Sequence, residues 1–60
     1  MAFKNFYLYG LDFVDTPRGM EIRSDGSLIT TWYYPEEGLH SQEEFEKFAV
    51  ECWRELSPRL

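Results

Sequence analysis

The chain has 60 residues, of which 43% are hydrophobic and 18% aromatic, so its composition is that of one small folded domain and not of a disordered chain. Its formal net charge of −5 disfavours contact with nucleic-acid phosphates, and no apolar run approaches the ~20 residues of a membrane span. The single cysteine excludes an internal disulfide, and one cysteine with one histidine provides too few ligands for a zinc site.

The N-terminal stretch 5–15 predicts a first strand, because it is rich in aromatic and aliphatic residues and contains no proline. Alternation divides its apolar side chains between two faces: Phe6, Leu8 and Val14 on one, and Tyr7, Tyr9, Leu11 and Phe13 on the other. Either face could meet a core, and the sequence leaves that choice open. Gly10 weakens the strand and indicates a bulge or a close approach of backbones.

Two turn signals follow this stretch. Residues 15–19 predict a type I turn, with Pro17 at its second position. Asp25 and Gly26 tolerate positive φ and predict a two-residue hairpin turn. The turns bound a second strand over 20–24 and a third over 27–34, which ends at Pro35.

A two-residue turn also predicts a register for the second and third strands. Continuous pairing from the turn places Ile22 opposite Ile29 and Met20 opposite Thr31. The strand residues then fall on two faces: Met20, Ile22, Ile29, Thr31 and Tyr33 on one, and Glu21, Arg23, Leu28, Thr30, Trp32 and Tyr34 on the other.

A loop over 35–40 leads to the sequence SQEE, which predicts a helix start at 41–44. In such a capping box Ser41 accepts from the backbone N–H of Glu44, and the Glu44 side chain returns to the Ser41 N–H. The predicted helix runs from about 42 to 56, and Pro58 prevents its continuation. Its apolar residues form one stripe at helical spacing: Phe45, Phe48, Ala49, Cys52, Trp53 and Leu56.

These elements predict an α+β fold over residues 1–60. A three-stranded antiparallel sheet is followed by one C-terminal amphipathic helix, in the order β-β-β-α, and we expect the helix stripe to cover Met20, Ile22, Ile29 and Tyr33. One helix covers one face, yet the opposite predicted face is also apolar. A monomer rarely leaves a large apolar patch in water, and Trp and Tyr dominate binding hot spots.

We therefore expect an interaction surface on the uncovered face. Its predicted residues are Leu28, Trp32, Tyr34, Phe6 and Leu8. The alternative is that the loop and the chain ends fold over this patch, or that the sheet curls into a partial barrel.

Carboxylates are concentrated before the cation at Lys47. This acidic patch consists of Glu36, Glu37, Glu43, Glu44 and Glu46. Its field would attract a basic patch on a protein partner. The alternative is that these charges only keep the protein in solution.

The sequence offers no pattern for catalysis, a cofactor or a metal. Cys52 falls within the apolar helix stripe, and His40 lies about 18 Å away along the helix axis at ~1.5 Å per residue, which excludes a nucleophile–base pair. The adjacent glutamates occupy a loop and a first helical turn, where solvent is expected. No glycine-rich segment leads into the helix, as a phosphate-binding loop would require.

The sequence favours a non-catalytic protein–protein interaction module. Its length and charge are typical of small accessory or inhibitor proteins of phages and mobile elements that bind a host protein. The alternative is a structural protomer that self-assembles through the aromatic face, most simply as a homodimer. Stacking of single-stranded nucleic acid on the sheet aromatics is disfavoured, because few cations lie on the β half. We expect a soluble cytoplasmic protein, in the host cytoplasm if it is phage-encoded.

Overall fold

A four-stranded antiparallel meander with one helix across it forms the fold of this chain. The structure, a computed structural model, describes residues 3–59, with Arg59 described by its backbone alone. The elements are β1 (Phe6–Leu8), β2 (Leu11–Thr16), β3 (Gly19–Ser24), β4 (Ser27–Trp32), α1 (Gln42–Leu56) and a 3-10 turn over Ser57–Arg59. The strands are adjacent in chain order. The predicted α+β class is confirmed, and the predicted number of three strands is wrong.

The additional strand arises because the predicted first strand reverses direction at Tyr9 and Gly10. Their φ angles are 50° and 82°, and a type I′ hairpin turn requires positive φ at both positions. Leu8 consequently lies opposite Leu11 across the turn. The Tyr9 ring packs on Trp53 of α1, with the ring centroids 4.7 Å apart, so the turn is fastened to the helix.

This reversal decides the question of which face of the N-terminal stretch meets the core. Neither predicted face does so intact. Residues from both predicted faces contact the core on the helix side of the sheet: Phe6, Leu8, Leu11 and Phe13. A tyrosine at positive φ is uncommon, so Gly10 was the only local signal for the turn.

The two predicted turns are present. β2 and β3 meet at the pair Thr16 and Gly19, where the Thr16 hydroxyl donates to the Gly19 carbonyl at 2.7 Å. Asp25 and Gly26 have φ of 51° and 81°, as the predicted two-residue turn requires.

The predicted register of β3 and β4 is wrong beyond a β-bulge. Arg23 lies opposite Leu28, as predicted, but Met20 lies opposite Trp32 and not opposite Thr31. Ile29 is therefore an extra residue in β4. Because strand side chains alternate between faces, one extra residue moves every later side chain to the other face.

The bulge reverses the predicted positions of the aromatic residues that follow it. Trp32 and Tyr34 are half-buried and pack against the core on the helix side, so their predicted place on the uncovered face is wrong. Ile29 and Tyr33, which were predicted beneath the helix, are 38% and 71% exposed.

The helix agrees closely with the sequence prediction. Ser41 accepts from the backbone N–H of Glu44 at 3.1 Å, but the Glu44 carboxylate accepts from the backbone N–H of His40 at 3.0 Å, not from Ser41. Every predicted stripe residue contacts the core. The buried hydrophobic residues are Leu11, Phe13, Met20, Ile22, Phe45, Ala49 and Cys52. Among the described residues, no helix combines the length and the apolar character that crossing a membrane requires.

Candidate interaction site

The five residues predicted as one interaction surface lie on two sides of the sheet. Phe6, Leu8, Trp32 and Tyr34 pack against the core on the helix side, whereas Leu28 is 52% exposed on the opposite side. The predicted apolar surface therefore does not assemble, because the first hairpin and the bulge direct the large side chains toward the helix. Trp32 nevertheless keeps part of its surface in solvent.

The sheet face away from α1, here called the open face, has a polar centre. Arg23 lies in its middle, and the Arg23 guanidinium donates from Nε to the Glu21 carboxylate at 3.0 Å. Asp12 of β2 is the strand partner of Arg23. An ion pair and a further carboxylate at the centre explain why this face needs no second covering layer.

On the open face, the exposed large apolar side chains that the structure describes lie at the edges. Tyr7 and Leu28 lie on the two outer strands, about 14 Å apart across three strand spacings. Tyr33 lies beyond the end of β4 and is 71% exposed. Asp12 and Arg23 therefore separate the exposed side chains of Tyr7 and Leu28 across the sheet.

A groove of about 450 Å³ lies between α1 and β4, on the other side of the sheet. Its lining residues, which define the Trp32 groove, are Trp32, Phe48, Glu51, Cys52, Arg54 and Glu55. Four of the helical residues recur at the spacing i, i+3, i+4 and i+7, so they share one side of α1. Trp32, at the end of the edge strand β4, faces that side.

Neighbouring side chains fix the position of Phe48 in the groove. Phe48 contacts Tyr34, with the ring centroids 5.6 Å apart. The Tyr34 hydroxyl in turn donates to Asp15 at 2.5 Å, which fixes the ring beside the helix. Burial, together with this hydrogen bond and the charge of Asp15, raises the pKa of Tyr34, so this hydroxyl remains a donor at neutral pH.

The groove also has an acidic rim. Glu51 and Glu55 are exposed, one turn apart on α1, and no cationic side chain that the structure describes pairs with either. Burial first, and then the charges of Glu55 and Glu51, raise the pKa of Cys52 to about 12. Cys52 as a residue is 3% exposed, so at neutral pH its thiol is a protonated, buried group that lines the groove.

The predicted acidic patch lies near the start of α1, away from the Trp32 groove. Its members are Glu36, Glu37, Glu43, Glu44 and Glu46. Glu43 lies 3.5 Å from Lys47, while Glu44 and Glu46 accept hydrogen bonds from the loop and the first helical turn. Three of these carboxylates therefore support the helix start. Within residues 3–59, no three His, Cys, Asp or Glu side chains cluster closely enough to hold a metal ion.

Sequence reasoning missed the contribution of Glu51 and Glu55. Neither belongs to the apolar stripe that predicts the helix, so neither is among the predicted surface residues. Their i, i+4 spacing beside Phe48 and Cys52 was a usable signal. It becomes meaningful only once Trp32 is known to face the helix, which depends on the bulge.

Three comparisons of this chain, with protein-family models, with curated proteins and with solved structures, give no match.

Proposed function

We propose that this protein is a non-catalytic protein–protein interaction module whose contact site is the Trp32 groove. The observation that carries the proposal is the position of Trp32, a half-buried indole in a concave surface with charged groups at its rim. Concave, partly apolar surfaces with a few polar groups are the usual form of binding sites. Tryptophan is also among the residues most enriched at the energetic centres of protein interfaces.

The charge of the chain supports a basic partner. The net charge of −5 attracts a basic protein surface and repels nucleic-acid phosphates. A role as a small phage or mobile-element inhibitor of a host protein is one form of this proposal, and it is supported by chain length and charge alone.

Self-assembly is the competing proposal, and the open face favours it. Tyr7 is 67% exposed and Tyr33 71% exposed on a sheet face that no helix or strand of residues 3–59 covers. Tyrosines of this kind supply contact area at low entropic cost. A homodimer that stacks two open faces would bury them.

The test compares two double charge reversals in tagged protein produced in its native host. The variant Glu51→Arg/Glu55→Arg reverses the groove rim, and the control Glu36→Arg/Glu37→Arg makes the same charge change in an exposed loop. We expect a partner that the wild type and the control capture equally and that the groove variant does not. Equal capture by both variants would exclude the groove as the contact site.

Light scattering with multi-angle detection decides the competing proposal. The interaction module is expected to be a monomer at high concentration. A homodimer that dissociates in Tyr7→Ser/Tyr33→Ser would establish self-assembly through the open face instead.

A further inference from the structure

We propose that the Trp32 groove receives an arginine or lysine side chain from a basic, extended segment of the partner. The cation lies against the Trp32 indole and pairs with the carboxylates of Glu51 and Glu55. This inference rests on the proposed function, since it names the chemistry of the group that occupies the same groove.

The aromatic wall provides the first part of the argument. Trp32 and Phe48 both line the groove. A cation within about 6 Å of an aromatic ring is attracted by the ring quadrupole, and tryptophan is the strongest of the three aromatic side chains in this respect. The methylenes of an arginine or lysine also cover apolar surface while the charged end stays near water.

The two carboxylates provide the second part. Glu51 and Glu55 are four residues apart on α1, so their Cβ atoms are about 5–6 Å from each other on one side of the helix. Two carboxylates at that distance can bind the same guanidinium from two directions. Arginine fits better than lysine, because its planar group both stacks on an indole and donates several hydrogen bonds.

Glu51 and Glu55 lie close enough to Cys52, which lines the same groove, for their charges to act on its thiol. Glu55 and Glu51 both contribute to the rise in the pKa of the Cys52 thiol, after burial. Burial disfavours any charged group, but the part of the shift that comes from the two carboxylates favours a cation beside the thiol.

Arg54 lines the same groove and carries the opposite charge. It leaves the groove with two carboxylates and one guanidinium, a balance that still favours a cation. As a like charge beside the incoming group, Arg54 should weaken binding. Its removal is therefore expected to strengthen binding, which is a signed consequence of the proposal.

The volume suits one long side chain and its flanking backbone. The groove of about 450 Å³ is within the range of roughly 300–1,000 Å³ that is usual for ligand sites. A large folded surface could not enter it. A single projecting residue on an extended segment could.

The experiment uses the full chain labelled with ¹⁵N and two synthetic pentapeptides. One peptide has a single arginine between glycines, and the other has citrulline, a neutral group of nearly the same shape. The indole N–H signals of Trp32 and Trp53 are followed during titration. Trp53 packs on Tyr9, away from the groove, and serves as an internal control.

The expected result is a saturating shift of the Trp32 signal with the arginine peptide, while the Trp53 signal stays in place. The citrulline peptide should bind roughly tenfold more weakly. Glu51→Gln/Glu55→Gln should weaken arginine binding by roughly three- to tenfold, and Glu36→Gln/Glu37→Gln by less than about twofold. Arg54→Gln should strengthen it by about twofold.

Equal binding of both peptides, or a Trp32 signal that does not move, would overturn the cation proposal. That outcome leaves the interaction module standing if the groove charge reversal still abolishes partner capture. If capture also survives the reversal, the groove is not the contact site and both proposals fail.

Discussion

The Tyr34 hydroxyl donates a hydrogen bond of 2.5 Å to one carboxylate oxygen of Asp15, and this contact joins the segment after β4 to β2. The second oxygen of Asp15 accepts from the backbone N–H of Phe3 at 2.9 Å. The Phe3 ring stacks on Phe45 of α1, with centroids 5.2 Å apart. The Asp15 carboxylate therefore binds both the segment before β1 and the segment after β4.

Loss of this hydroxyl should destabilise the protein. Tyr34→Phe is expected to lower the free energy of unfolding by about 1–2 kcal/mol, because a partly buried hydrogen bond to a charged group is lost. Tyr33→Phe is the matched control, since that hydroxyl belongs to a ring that is 71% exposed, and its effect should stay within about 0.5 kcal/mol. Urea unfolding followed by tryptophan fluorescence measures both. Equal effects of the two variants would mean that the Asp15 contact adds nothing.

The bulge predicts an unusual tolerance to deletion. Removal of Ile29 should leave Arg23 opposite Leu28 and Met20 opposite Trp32, because it takes out only the unpaired residue. We expect this variant to fold, with a free energy of unfolding within about 1 kcal/mol of the wild type.

Deletion of Val14 is the control for the bulge. Val14 pairs with Glu21 in a ladder that has no extra residue to absorb the loss. The deletion therefore turns either Phe13 or Asp15 away from the helix side, and we expect no cooperative unfolding transition. Near-ultraviolet circular dichroism and thermal unfolding distinguish the two deletions. A fold that survives loss of Val14 but not of Ile29 would refute the observed register.

Gly19 should be the glycine least tolerant of substitution. A Cβ at this position would lie 2.6 Å from the carbonyl oxygen of Trp32, and backbone on both sides prevents relief. Gly19→Ala is expected to cost more than about 2 kcal/mol or to prevent folding.

Gly38→Ala provides the comparison, because its Cβ would meet open space. Its φ of 74° still disfavours alanine, with an expected cost of about 1–2 kcal/mol. Thermal unfolding of the two variants ranks them. A larger loss at position 38 than at position 19 would contradict the close approach of β3 to the end of β4.

The raised pKa of the Cys52 thiol predicts that the protein loses stability at alkaline pH. Its pKa is about 12 in the folded protein and 9.0 when exposed, so the unfolded chain loses this proton first. The stabilisation is complete below pH 9 and is lost as the pH rises toward 12. Cys52→Ala should therefore unfold more easily at pH 7.5, yet lose less further stability between pH 9 and 10.5.

The same thiol should react slowly with a disulfide reagent at pH 8 in the native protein and rapidly in urea. The Tyr34 pKa is raised too, so a shared alkaline loss remains in Cys52→Ala, and only the difference in slope belongs to the thiol. Identical slopes for both proteins would show that the thiol does not ionise differently on unfolding.

Local patterns were sufficient for much of this fold. The stripe from Phe45 to Leu56 and the cap at Ser41 predicted α1 to its end residues, because a helix is specified by contacts within a few residues. Asp25 and Gly26 predicted their turn for the same reason. Local patterns could not predict a site for a cationic side chain, since Glu51 and Trp32 are distant in sequence.

What the sequence by itself determined is the set of local elements: the helix, two of the three hairpin turns between the described strands, and the α+β class. Only the tertiary structure decided where the strands change direction and register. With Ile29 in a bulge, one residue of β4 has no strand partner. In return Trp32 and Tyr34 lie beneath the helix, where a regular register would have placed Ile29 and Tyr33. Two large aromatic rings bury more apolar area beneath the helix than Ile29 and Tyr33 would. That gain depends on contact with the helix, which a short stretch of strand sequence does not reveal.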